Sequence, residues 1–372
     1  MKKINNLFLM TIANTSGSGI TAVFWFIIAA LLVPSEYGEI QYFISIAGLG
    51  YVISLVGTQT VITVYTAKKI QLQSTLILLS LFAGTVLGII ILFLFSKLDV
   101  SFLVIAFIIN DISIGYILGK RFFVKYSKYF ITQKSLTFGL GLSFYFIWGA
   151  EGIILGLALS YIHFVIIIFN ILKSSKINFS LLKTHFGFIG NNYSISISGA
   201  AKNHFDKIIV LPIIGFELLG NYALALQTYA VLMMFSKIVY NYTLPQDSVG
   251  KTTTKVKIIA LISSVIFTLL GVIATPFIIP AIFPEYTEAV IAIQIISLAV
   301  IPSTITLILS SKFLGDENSK IVLTGRIAFA IIIISLIVIL TPIYGISGTT
   351  GSFVVASIAQ TVILFVYYRL RN

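Results

Sequence analysis

Lys202, His204, Asp206 and Lys207 fall within six positions of an otherwise oily chain, in the stretch SISGAAKNHFDKIIVLPIIG at 196–215. Two ammonium groups against one carboxylate leave a net positive charge, which suits an anionic ligand met by diffuse point charges. On a helix turning 100° per residue, Asn191, Ser194, Ser198, Lys202 and Asp206 share one stripe, and Asn192, Ser196, Gly199, Asn203 and Lys207 the neighbouring one. Lys202, Lys207, Asn191, Asn192, Ser198 and Asn203 are therefore the candidate substrate-binding residues. The same spacing allows a bland alternative, because Lys202 and Asp206 stand at i and i+4 and can simply neutralise one another. His204 lies on the opposite side and reads as a packed histidine. A second carboxylate, Asp111, follows Asn110 near the middle of another apolar run, with no charged neighbour in its own helix. A membrane carboxylate can carry a proton when burial raises its pKa, so Asp111 and Asp206 are the candidates for ion coupling, with Asp111 favoured and a structural hydrogen bond as its alternative.

Other chemistries lack their residues. The chain has no cysteine, and its three histidines, at 163, 185 and 204, show no metal-ligand spacing. There is no phosphate-cradling P-loop and no nucleophile elbow. We expect no catalytic residues, no metal, no cofactor and no enzyme activity.

The elements that must carry these residues are membrane helices. Of the 372 residues, 58% are hydrophobic and 10% charged, with a mean hydropathy of +1.06. A bilayer core about 30 Å thick needs roughly 20 apolar residues per helical crossing, and lipid satisfies no backbone polar group. The apolar runs lack strict alternation, which excludes a barrel. Twelve crossings are expected, at 8–33, 39–66, 72–95, 100–119, 130–148, 150–172, 187–214, 217–243, 256–282, 287–311, 320–342 and 345–368. The opening MKKINNLFLMTIANTSGSG continues into ITAVFWFIIAALLV and reads as a retained first helix, with a cleaved signal as the alternative.

Charge tests this count. Under it, alternate loops hold Glu36, Glu39, Asp99, Glu151, Glu217, Glu285 and Glu288 against the single base Lys97, while the other loops and both ends are rich in Lys and Arg. The pattern predicts cytoplasmic termini in the cytoplasmic (inner) membrane. It also explains the net charge of +12 as topology and contact with membrane lipids, without nucleic acid as a partner.

The expected organisation is a six-helix bundle over 1–173, a cytoplasmic interfacial linker over 174–186 with Phe179, Leu182 and Phe186 toward lipid, and a second six-helix bundle over 187–372. The halves echo one another. VPSEYGEIQY resembles IGFELLGNYAL, aligning Gly38 with Gly220 at an offset of 182, and GAEG at 149–152 recurs as GISG at 345–348 at an offset of 196. Similar topological positions favour a parallel repeat of six helices.

The succession YGEIQYFISIAGLGYVISLVG, DKIIVLPIIGFELLGNYALALQTY, FPEYTEAVIAIQIISLAVIPSTITLILSSKFLG and TPIYGISGTTGSFVVASIAQ resembles the Wzx-type polysaccharide exporters, or O-antigen flippases, over nearly the whole chain. The wider superfamily includes multidrug (MATE) exporters and the lipid II flippase. The resemblance implies an all-α polytopic fold of two six-helix bundles around a central cavity, working by alternating access. As cargo it implies an undecaprenyl-diphosphate-linked oligosaccharide, and as partners a polysaccharide polymerase and glycosyltransferases. Two alternatives stand beside it. One is a drug exporter of the same superfamily, against which the lysine-bearing seventh helix argues. The other is an integral-membrane polysaccharide polymerase or ligase, which would need acids or bases in a sizeable outer loop where this chain has turns.

Overall fold

The computed structural model describes residues 2–200, 204–250, 253–316 and 318–371, and these form helices with no strand. In chain order they are α1 (Lys2–Leu31), α2 (Pro34–Ser54), α3 (Gln59–Ala67), α4 (Gln73–Phe95), α5 (Leu98–Gly119), α6 (Phe123–Trp148), α7 (Ala150–Leu159), a 3₁₀ turn at Ile162–Phe164, α8 (Val165–Ser174), α9 (Phe179–Ala200), α10 (Asp206–Leu232), α11 (Met234–Asp247), α12 (Thr254–Ile273), α13 (Thr275–Ile282), α14 (Ala289–Ser297), α15 (Val300–Gly315) and α16 (Ser319–Arg371). Among the described residues, eight segments are long and apolar enough to cross a bilayer, and the pair α2–α3, bent by 41°, makes a ninth. The protein is a polytopic all-α membrane protein.

Glycine marks where rods end inside continuous helices. Unbroken, the 53 residues of α16 would extend about 80 Å, far beyond one bilayer. The break is at Gly345 (φ 55, ψ −133), three residues after Pro342. In α10 the break is at Gly215 (φ 75, ψ 176), three residues after Pro212. Proline removes a helical hydrogen bond and glycine accepts the positive φ, so each Pro-x-x-Gly divides one apolar stretch into two rods.

Contacts divide the chain into two compact units, Met1–Phe24 with Tyr42–His204, and Trp25–Gln41 with Phe205–Asn372. This division differs from a boundary at 174–186. Asn178 accepts the backbone N–H groups of Ser180 and Leu181, so α9 starts at Phe179 and runs on through most of the expected linker. Residues of α9 then anchor in the first unit: Tyr193 Oη donates to the carbonyl of Ile53 at 2.6 Å, and the Tyr65 ring meets His185 and Phe188. Phe179 and Phe186 are exposed and Leu182 is half-buried.

In the first unit α5 is the hub, packing on α3, α4, α6, α7 and α8. Gln133, Thr137 and Ser160 form a buried hydrogen-bonded triangle that ties α6 to the end of α7. In the second unit α16 packs on α10, α14 and α15. Polar pairs again join its helices, Tyr229 with Ser303, Ser236 with Thr304 and Thr306 with Thr361. Such side chains fasten helices where lipid supplies no hydrophobic drive between them.

The second unit includes residues 25–41. Tyr286 Oη donates to the carbonyl of Leu32 at 3.1 Å, and the rings of Tyr37 and Tyr286 meet edge to face. Here Gly38 and Gly220 cross backbone to backbone. A Cβ on Gly38 would collide with the carbonyl oxygen of Phe216, and one on Gly220 with that of Pro34. Each glycine therefore sits on the carbonyl four residues before the other, the reciprocity expected of two copies of one turn. The second matched pair behaves alike. Gly149 (φ 68, ψ −153) and Gly345 share one backbone region, and a Cβ on Gly152 or Gly348 would strike the carbonyl eight residues earlier, that of Phe144 or Leu340.

Candidate functional site

Asp206 opens α10 and is 4% exposed. Its Oδ2 accepts the hydroxyl of Tyr222 at 3.1 Å, and its Oδ1 lies 3.9 Å from Lys207 Nζ. That Oδ1 is buried and has no hydrogen-bond partner among the described residues. The carboxylate thus has one hydroxyl donor and one adjacent cation, an arrangement able to accept a further cation or a proton.

Of the other candidates, Lys202 and Asn203 lie outside the described residues, as does the side chain of Ser198. Asn191 is exposed on α9, while Asn192 donates to the carbonyl of Phe188 and Ser194 to that of Gly190. Asn191 and Asn192 belong to the first unit, and Asp206 and Lys207 to the second. His204 packs its ring on Gly48, where any side chain would collide with it, in keeping with a packed histidine.

Asp111 has a defined structural task. Its Oδ2 accepts the backbone N–H of Gln59 at 2.8 Å, and its carboxylate is hydrogen-bonded to Tyr51. Gln59 is the first residue of α3, so Asp111 satisfies an N–H that the break between α2 and α3 would leave without an intrahelical acceptor. Thr58 caps the same turn through Val61 N. Phe107 meets the rings of Tyr51 and Tyr161 at 5.7 Å beside this point. Tyr51 and Tyr222 were not among the candidates: each lies far from its aspartate along the chain, and helical spacing carries no signal for such a pair.

No protein family model and no curated protein matches this chain. Solved structures do. The lipid II flippase MurJ in an inward closed conformation is similar with a TM-score of 0.75 and 14% identity, over 97% of this chain and 87% of that one. A multidrug resistance MATE family transporter of the MOP superfamily, inward-facing, gives 0.73 and 12% over 96% and 94%. A MOP superfamily transporter from Pyrococcus furiosus, described by the reversed polarity of its binding pocket, gives 0.63 and 13% over 98% and 95%.

The chain has the MATE fold. Within it each unit holds one carboxylate in an apolar helical setting, Asp111 in the first and Asp206 in the second, and each carboxylate is held by a tyrosine hydroxyl.

Proposed function

We propose that this protein is a flippase that moves an undecaprenyl-diphosphate-linked glycan repeat unit across the cytoplasmic membrane for O-antigen or capsule assembly. The observation that carries the reading is Lys207 beside the buried Asp206 on α10, in a fold shared with the lipid II flippase. A cation placed in an apolar unit is costly, about 2.5–3.5 kcal/mol even on insertion scales, and is expected where it serves an anionic cargo. Lys207 and Lys202 attract the diphosphate, and Asn191, Asn192, Ser198 and Asn203 offer hydrogen bonds to the hydrophilic part of the cargo.

Movement proceeds by alternating access. Asp206 and Asp111 are the coupling carboxylates, with Asp111 also capping α3. The charge pattern supports cytoplasmic termini, and the polymerase and glycosyltransferases of the same glycan are the working partners.

The experiment is surface-glycan export in cells that depend on this protein. Lys207→Gln is expected to lower export about tenfold at normal protein abundance, with Lys207→Arg retaining most of it. Unchanged export in Lys207→Gln, or drug efflux in place of glycan export, contradicts the reading.

A further inference from the structure

Two turns at one rim of the first unit are built alike. The helices before them, α3 and α5, run parallel and in close contact: a Cβ on Gly115 would collide with the carbonyl oxygen of Gln59 and one on Gly119 with that of Thr63, and Thr63 Oγ1 donates to the carbonyl of Gly115. Their C-terminal ends therefore emerge side by side. Each closes with the same two backbone hydrogen bonds, Lys69 N–H to Thr66 O and Ile70 N–H to Tyr65 O after α3, Arg121 N–H to Leu118 O and Phe122 N–H to Ile117 O after α5. The residue that this motif puts in the left-handed region is usually glycine, and here it is Lys69 (φ 58) and Arg121 (φ 61). A helix C-terminus attracts cations, but a lysine in the last turn meets that attraction on ordinary helical backbone. Charge kept at two strained positions points to a site.

The charge around these turns is of one sign. Lys68, Lys69, Lys120, Arg121, Lys125 and Lys128 are exposed, and among the described residues no carboxylate pairs with any of them. The acids between α2 and α7 are engaged elsewhere, Asp99 in the first turn of α5 at its far end and Asp111 on Gln59 at the start of α3. Beside the second turn a cavity of about 510 Å³ is lined by Arg121, Lys125 and Lys128 together with Phe122, Phe123 and Val124. Phe122 is 52% and Val124 49% exposed. Because α5 is long and apolar enough to cross the bilayer, these cations and apolar side chains mingle at its end, where acyl chains give way to headgroups.

We propose that this rim binds an anionic glycerophospholipid such as phosphatidylglycerol. The phosphate is taken by the Arg121 guanidinium and Lys125, Lys69 on the neighbouring turn adds to the attraction, and the acyl chains lie against Phe122 and Val124. A lining that holds cations and no carboxylate discriminates against a headgroup with its own ammonium, because nothing there accepts a further positive charge. The exposed apolar side chains beside the cations favour a lipid over an acidic protein segment. This site belongs to the first unit and does not rest on the cargo reading.

The test is native mass spectrometry and thermal unfolding of the delipidated full chain. Phosphatidylglycerol, phosphatidylcholine and phosphatidylethanolamine of equal chain length are added separately, with inorganic phosphate and polyglutamate as soluble arms. Phosphatidylglycerol is expected to be retained about tenfold better than either other lipid, with a matching rise in Tm. Lys69→Gly combined with Arg121→Gly removes two charges and relieves both left-handed residues, so its lipid-free Tm should equal or exceed that of the wild type while the advantage falls to about twofold. Lys255→Gln combined with Lys320→Gln, the same loss of charge at exposed positions of the second unit, should leave the advantage intact. Equal retention of the three lipids, an undiminished advantage in the glycine variant, or an equal loss in the second-unit variant overturns the proposal. A Tm rise matched by inorganic phosphate or by polyglutamate overturns the lipid as the source of the anion.

Discussion

Asp247 shows how one side chain organises the basic end of the second unit. It lies past the apolar run of α11, and its carboxylate accepts Thr253 and Lys257 on Oδ1 and Lys257 and Ser311 on Oδ2, at 2.6–2.9 Å. Burial pulls its pKa up, but the hydrogen bonds from Lys257, Ser311 and Thr253 and the Lys257 charge outweigh burial and hold it below the usual carboxylate value. A carboxyl with a depressed folded pKa stabilises fully above its unfolded value of about 3.9, and the stabilisation is lost as pH falls through the folded value. Asp247→Asn is therefore expected to cost about 1.5–3 kcal/mol at pH 7, as the loss of charged hydrogen bonds does, and the gap to wild type should close below about pH 4. Thermal unfolding in detergent against pH measures this; a gap that stays constant to pH 3 contradicts it. Asp247 drew no notice in the sequence, since Ser311 lies 64 residues away. The adjacency of Asp206 and Lys207 was legible because the two are neighbours in the chain, and the tyrosines that hold Asp206 and Asp111 were not, because only tertiary approach creates those contacts.

At the scale of elements, the two glycine matches were readable as repeats, and their reason is now physical. Gly38 and Gly220 are needed because each turn rests on the other's carbonyl. Gly38→Ala and Gly220→Ala should each destabilise by about 1–3 kcal/mol through overpacking. Gly187→Ala, on α9 with open space around it, should be neutral or slightly stabilising. Melting of the three purified variants checks the contrast, and equal Tm values contradict it. The expected crossings follow the rods because apolar length governs both, and the expected ends at 214 and 342 fall beside the breaks at Gly215 and Gly345. The break between α2 and α3 was missed, since the acceptor that stabilises it, Asp111, comes from α5, 52 residues on. The segment expected as an interfacial element is helical for most of its length, since the cap Asn178 starts α9 at Phe179.

At the scale of the molecule, the alternation of acidic and basic loops predicts which ends face the cytoplasm. The chain lacks cysteine, so single cysteines report without background. Glu36→Cys and Glu217→Cys should react with an impermeant maleimide in intact cells, and Lys125→Cys and Lys255→Cys only after lysis; all four positions are exposed. A reversed pair contradicts the proposed orientation.

The most direct measurement of the central claim is flipping itself. Purified protein is placed in liposomes holding a fluorescent undecaprenyl-diphosphate-linked oligosaccharide in both leaflets, and an impermeant glycan-oxidising or glycan-binding probe reads the accessible fraction over time. The account predicts that the wild-type protein makes the inner pool accessible, that Lys207→Gln does so about tenfold more slowly, and that an imposed ion gradient changes the rate through Asp111 or Asp206. Liposomes whose inner pool stays protected with the folded wild-type protein present, under every gradient applied, would contradict it.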